Sequence, residues 1–370
     1  MDKKQLANEI KKYKPQMTSS ERAKAYFNGE RVDHLPYEIF CTDWVIAAEM
    51  GYKLADLADI DIMTKVIEKR FNDYKIDGFA EGAPLKVMAE AVGSKVTYPE
   101  NDIDYIDEFL MEEELDMSLL GEFDPYKNPT TKKKLQRARK LKERFPEHPI
   151  GTQVSGPITV AAGIRPINKL LRDFRKNPEV VKELLEYSLD LNISWIKAFT
   201  NEFGPRKINI ADPVGCDDIL SPKQLSEFSH PYLDRLVESI IDITGNRPGL
   251  HVCGHTSKQW PYYRDLGIDL YSLDDCENLA DIKLIVEDNT ILEGNVPPVE
   301  VMRFGTIDDV IDSVKSCILQ AGDAKNGLIV ATGCDLPIGT PKENFDAFIY
   351  AVSKYGKDAK IGEMPKAVFE

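Results

Sequence analysis

Two short segments of the chain carry side chains that suit a soft metal ion. One reads Pro248-Gly-Leu-His251-Val-Cys253-Gly254 and the other Ile329-Val-Ala-Thr332-Gly333-Cys334-Asp335. If each segment is a strand, residues two apart point to the same side. His251 and Cys253 then present an imidazole and a thiol together, and Cys334 at the end of another strand can complete a three-ligand set. Three protein ligands with one open position are the pattern of a catalytic zinc, whereas a structural zinc takes four. Two thiolates cancel the charge of Zn2+, which makes the ion softer and less Lewis acidic than in a three-His site. A substrate thiol bound there would ionise and stay nucleophilic, and a departing oxygen could be polarised. The same residues also read as packing, because free Cys is among the most buried residue types. Spacing alone leaves both readings open.

The elements that would position these residues recur along the chain. Short apolar runs ending in Gly, Pro, Asp or Cys are followed by longer stretches of helical periodicity, the alternation of an α/β fold. The candidate strands are Leu35 to Phe40, Ile76 to Glu81, Ile150 to Ser155, Lys207 to Asp212, Pro248 to Cys253, Ile268 to Leu273, Thr290 to Gly294 and Gly327 to Thr332. Eight is the number of a (β/α)8 TIM barrel, in which strand C-termini converge on one mouth. Val310, Ile311, Val314 and Ile318 mark the inward face of a helix between the last two strands. Thr18 with Glu21, Ser221 with Pro222 and Gln224, and Thr340 with Pro341 and Glu343 predict capped helix starts. The stretch 101–147 runs from acidic to basic and predicts an insertion between strands 2 and 3, an excursion plus a solvated helix.

The 370 residues fit one barrel with additions, read as an N-terminal helical extension (1–34) and a barrel domain (35–370). A doubly wound open sheet is the second choice. No GxGxxG follows the first strand and no GxxxxGK[ST] occurs, which argues against nucleotide phosphate cradles. Forty-seven basic and sixty-two acidic side chains give a net charge of −15, so no nucleic acid is expected as a partner. No apolar run is long enough to span a bilayer and no secretory segment opens the chain, so no membrane is expected and the cytoplasm is the expected compartment. The six cysteines are accordingly read as reduced thiols or metal ligands.

Several landmarks resemble those of the uroporphyrinogen decarboxylase superfamily. They are Met17 to Arg22, Asn28 to Pro36, Ser155-Gly156-Pro157-Ile158-Thr159, Asn209 to Pro213, His251-Val252-Cys253-Gly254, Gly294-Asn295-Val296 and Thr332-Gly333-Cys334. Within it the chain is most similar to the cobalamin-dependent branch of methylcobamide:coenzyme M methyltransferases. That resemblance implies a TIM barrel, Zn2+ held by His251, Cys253 and Cys334, and a corrinoid as second cofactor. The decarboxylase branch carries Arg-Gln-Ala-Gly-Arg after its first strand, where this chain has Phe40-Cys41-Thr42-Asp43-Trp44. Its Phe-Ser-Asp element is also missing; the segment here reads Asp77 to Pro84. Branch members often read Gly-Cys-Gly after the eighth strand, whereas Asp335 follows Cys334 here, which bears on the thiol acceptor. The Asp-x-His-x-x-Gly pattern that ligates cobalt in carrier domains is absent, so the resemblance implies a separate corrinoid carrier protein.

Other residues have two readings each. Glu81 and Asp212 end strands and are candidates for a fourth metal ligand or a proton acceptor, or for bonding loop amides. Asp335 lies beside a ligand. His255 is a candidate corrinoid or substrate contact, or a surface turn residue. Cys41, Cys216, Cys276 and Cys317 read as packing. Trp260, Tyr262 and Tyr263 read as core before pocket. The leading expectation is a zinc enzyme that moves a methyl group between a partner-held corrinoid and a small methyl donor or acceptor, either a thiol or a methoxylated aromatic. The rivals are a porphyrinogen decarboxylase and a catalytically silent tetrapyrrole-binding barrel.

Overall fold

A computed structural model of the chain describes residues 1–12, 15–40, 42–100, 102–286 and 290–370. Cys41 lies outside them. Among the described residues the ten strands are β1 (Tyr37–Glu38), β2 (Phe79–Ala80), β3 (Lys95–Thr97), β4 (Tyr105–Glu108), β5 (Ile150–Ser155), β6 (Ile208–Ala211), β7 (Gly249–Val252), β8 (Leu270–Leu273), β9 (Ile291–Val296) and β10 (Leu328–Thr332). Apart from the β3–β4 hairpin, these are the eight parallel strands of a TIM-barrel type of α/β fold, one within or overlapping each predicted run.

The chain divides into two compact units, residues 1–77 with 269–370 and residues 78–268. In the first, the parallel order is β1-β10-β9-β8, with Tyr37 opposite Val330 and Val330 opposite Gly294. Helix Ile307–Ala321 covers this sheet with Val310, Ile311, Val314 and Ile318, the predicted face, joined by Ile307, Cys317 and Ala321. Each fully buried Val or Ile there contributes about 1.5–3 kcal/mol. Its start is a capping box of Thr306 and Asp309, and the predicted Thr18–Glu21 box closes the helix Ser19–Phe27. Behind that helix, Arg22 makes a buried two-pronged ion pair with Asp33, at 2.6 and 3.0 Å.

The expected cap at Thr340 does not form. Its hydroxyl donates to the Pro337 carbonyl at 2.8 Å, Pro341 takes the N-cap place of the helix Lys342–Tyr355, and Glu343 reaches Lys3 instead. A turn carbonyl only three residues back captures the hydroxyl before the helix can.

The second unit has the parallel order β7-β6-β5-β2. Its 26-residue helix Pro178–Phe203 buries Leu184, Leu185, Trp195, Ile196 and Phe199, and Trp195 Nε1 donates to Thr152 Oγ1 on β5 at 3.0 Å. The Ser221–Gln224 capping box is present as predicted. The insertion after β2 holds the β3–β4 hairpin and helix Pro129–Arg144. This helix is not the solvated one expected: Thr131, Leu135, Ala138 and Leu141 are buried along one stripe. Eight Lys and Arg residues mask a narrow apolar face, and that face is enough to dock the helix.

Candidate metal centre

Strand β7 ends where the chain bonds to its neighbour β6: His251 pairs with Ala211, and the Asp212 amide donates to the His251 carbonyl at 2.8 Å. The strand's pleat then places His251 and Cys253 on one side, as read from sequence, with Nε2 3.3 Å from Sγ. Gly254 follows with φ +80°, and a Cβ there would lie 2.6 Å from Asp218 Oδ2 and 3.6 Å from Cys216 Sγ. Only glycine meets both demands.

The loops after β6 and β7 are sewn together. The Asp217 amide donates to the His255 carbonyl at 2.8 Å, the His255 amide to Asp218 at 2.8 Å, and the Lys258 amide to Asp217 at 3.0 Å. Gln259, buried, donates to the Gly215 carbonyl at 2.9 Å and accepts from the Tyr263 hydroxyl at 3.1 Å. Its carbonyl oxygen also lies 3.1 Å from His230 Nε2. Cys216 is buried in this seam, as the packing reading expects.

Cys334 comes two residues after β10. The Gly333 amide donates to Val296 at 2.8 Å, which carries the ladder one residue past Thr332, and the Thr332 hydroxyl accepts from the Phe40 amide at 3.2 Å. A Cβ on Gly333 would stand 2.6 Å from the Asp275 amide nitrogen, so the turn into Cys334 requires a glycine. Asn295 holds the loop after β8 by donating to the carbonyls of Asp274 and Glu277 at 2.9 and 2.7 Å. His251 and Cys253 thus stand side by side in the second unit, and Cys334 follows β10 in the first.

The remaining predicted residues are placed as follows. Asp212 is buried between Gly156 and Gly215, and a Cβ on either glycine would come within 2.1 or 2.3 Å of its carboxylate. Thr159 donates to its Oδ1 at 2.6 Å and accepts from the Val214 amide at 3.1 Å. Burial pushes the Asp212 carboxyl up to about 6, against the lowering effect of the Thr159 bond. Glu81, also buried, is bound by two cations, Lys134 at 2.7 Å and Arg137 at 2.8 Å, both from the insertion helix. Those partners were not anticipated for a fourth metal ligand or proton acceptor. His255 is on the surface, its ring 3.1 Å from Asp218, with both side chains more than half exposed.

Trp260 and Tyr263 are core residues, and Tyr262 stacks on His230 with ring centroids 3.7 Å apart while donating to Asp234 at 2.9 Å. Sequence reasoning passed over Thr159 and Gln259. Thr159 ends the quoted Ser-Gly-Pro-Ile-Thr element, which was the available signal, and Gln259 offered none.

A model of the family described as uroporphyrinogen decarboxylase (URO-D) matches residues 18–355. The chain is 30% identical over 204 residues to the methylated-thiol–coenzyme M methyltransferase of Methanosarcina mazei, covering 55% of this chain and 52% of that protein. It is 26% identical over 211 residues to the methylcobamide:CoM methyltransferase MtaA of Methanosarcina barkeri, covering 57% and 59%. The chain thus spans little more than half the length of the curated relatives it matches. A solved structure described as a methyltransferase from Methanosarcina mazei has the same fold, with a TM-score of 0.75 at 20% identity over 92% of this chain and 99% of that one. Among the described residues no helix is long and apolar enough to cross a membrane.

Proposed function

Because the chain belongs to the uroporphyrinogen decarboxylase family, we propose that it is a zinc-dependent methyltransferase working between the corrinoid of a partner protein and a small thiol acceptor or O-methyl donor. The observation that carries this reading is the imidazole and thiol that His251 and Cys253 present side by side, with Cys334 as the third ligand of the proposed set. The donor set fits zinc: one imidazole nitrogen and two sulfurs leave a tetrahedral ion one open position. Zinc bonds of ~2.0–2.3 Å put nitrogen and sulfur ligands ~3.5 Å apart, and His251 and Cys253 already stand at 3.3 Å. When bound, Zn2+ supplies a soft Lewis acid that ionises a substrate thiol or takes up charge on a departing oxygen.

The chain's own residues do the rest. Thr159 fixes Oδ1 of Asp212, and the raised carboxyl suits Asp212 to accept or return a substrate proton near neutral pH. His255, exposed on the loop that carries Cys253, is positioned to meet the corrinoid of a carrier protein. Glu81 serves by anchoring the insertion helix through Lys134 and Arg137. The methyltransferase activities for which the two curated relatives are named support methyl transfer over decarboxylation. So does the segment from Phe40 to Trp44, which has no arginine to clamp a porphyrinogen.

The test follows the cobalt absorbance of a methylated corrinoid carrier, mixed with this protein and candidate thiols, and of the unmethylated carrier with methoxylated aromatics. Methyl transfer in either direction that disappears in Cys334→Ala supports the proposal. A metal-free protein that decarboxylates a porphyrinogen sinks it.

A further inference from the structure

The loops that follow β9 and β10 leave neighbouring parallel strands of the first unit at the same end, where the Gly333 amide donates to the Val296 carbonyl at 2.8 Å. The second loop carries Cys334, and the first carries half-buried Arg303. Buried Asn344 pins the segment around Arg303, its side-chain amide donating to the carbonyls of Met302 and Gly305 at 3.0 and 2.9 Å. From the second loop comes Gly339, with φ +81°, at the third place of a turn that the Thr340 amide closes on the Pro337 carbonyl at 3.2 Å. A Cβ on Gly339 would lie 3.1, 3.3 and 3.5 Å from Nη2, Cζ and Nε of Arg303, so the guanidinium lies flat against that glycine. The Phe304 ring centroid is 5.0 Å from Cζ. Contacts of this kind use the face of the group and leave its N–H donors, which point outward in the plane, available. In this acidic chain Arg22, Arg139, Arg165 and Arg235 each hold a carboxylate. Among the described residues no carboxylate pairs with Arg303 and no carbonyl accepts from it.

We propose that Arg303 binds an oxyanion, a carboxylate, sulfonate or phosphate, at one end of the small methyl donor or acceptor, so that the substrate of this site is anionic. A guanidinium held in place, deprived of part of its water and given no protein anion is arranged for a two-pronged bond to an anion from outside. The neighbouring loop then carries Cys334 toward the other end of the same molecule, its sulfur or methoxy oxygen. That assignment of the other end rests on the methyl-transfer reading, whereas the anion preference belongs to Arg303 itself.

Calorimetric titration of the zinc-supplied protein, with no corrinoid carrier present, tests it with two pairs of probes. One pair is 3-mercaptopropionate and 3-mercaptopropan-1-ol, the other 3-methoxybenzoate and 3-methoxybenzyl alcohol. In at least one pair the anion is expected to bind at least tenfold more tightly than its neutral partner. Arg303→Gln is expected to remove that preference while leaving the neutral probe's affinity as it was. Arg303→Lys, which keeps the charge and loses the fork, is expected to reduce the preference at least threefold, and it decides alone if Arg303→Gln fails to fold. Equal binding within both pairs, no binding of any probe at millimolar concentration, or an anion preference untouched by the substitutions would overturn the proposal. Failure of the methyl-transfer reading shows separately, as a carrier whose cobalt absorbance never changes while the anion preference stands.

Discussion

Nε2 of His251 stands 3.3 Å from Sγ of Cys253, two residues further along and just past the end of β7. A strand pleat needs no ligand to hold them there, so most of the ordering cost of binding a metal is met by the fold. Cys253→Ser should therefore lower zinc affinity by far more than it lowers stability. The check is a competitive chelator titration beside urea unfolding; equal losses in both would show a thiol that only packs.

The carboxylate of Asp212 is held in a slot walled by Gly156 and Gly215. Gly156→Ala should cost at least about 2 kcal/mol, because its Cβ must displace a buried carboxylate. Thr159→Val should cost less and leave zinc bound, while slowing methyl transfer at least tenfold through the loss of the bond to Oδ1. Transfer at the unaltered rate in a folded Thr159→Val protein would remove Asp212 from the mechanism.

Glu81 and its two cations separate a structural role from ligation. Glu81→Gln should destabilise the protein by about 1–3 kcal/mol, since Lys134 and Arg137 keep partial solvent contact and lose only part of their stabilisation. Zinc content should stay the same. A variant of unaltered stability that loses zinc would instead make Glu81 a ligand.

Acid sensitivity should come from the Arg22, Asp33 and His34 cluster. Burial, helped by the neighbouring Arg22 charge, holds the His34 ring near 4 rather than 6.5. The unfolded chain therefore takes up a proton below about pH 6.5 that the folded one refuses until about pH 4, and stability falls as pH drops through that window. Burial alone would raise Asp33, but the Arg22 hydrogen bonds outweigh it and hold the carboxyl at about 2. Its contribution persists above the ordinary carboxylate range and is lost as pH falls toward 2. Urea midpoints measured from pH 7 to pH 4 should decline steadily, and His34→Gln should flatten that slope. An unchanged slope in the variant would assign the acid loss elsewhere.

What could be read from the sequence and what could not divide along chain separation. Ile150 to Ser155 is a strand with the predicted bounds, because its apolar alternation and flanking Pro149 and Gly156 are local signals. Strand β1 is shorter than its apolar run, with Leu35 bonded to Gly356 instead of a strand neighbour. Of the three metal-ligand candidates, His251 and Cys253 were legible because two residues on a strand need only a pleat. Cys334 was legible because the C-terminal ends of barrel strands converge on one mouth, and the family pattern pointed to the same residue. The bonds Thr159 to Asp212 and Gln259 to Gly215 join residues 53 and 44 positions apart, and neither hydroxyl nor amide carries a periodic signature. Helix Pro129–Arg144 misled for the opposite reason, its charges being conspicuous and its four buried residues sparse.

Zinc content decides the central claim most directly. The protein, purified without chelator, should carry one zinc per chain by elemental analysis. Cys334→Ala and His251→Ala should carry less than a tenth of that, and Cys276→Ala, altered at an exposed thiol outside the proposed ligand set, should match the unaltered chain. Unaltered protein that folds and takes up no zinc from micromolar solution, or a Cys334→Ala protein that retains a full equivalent, would contradict the account.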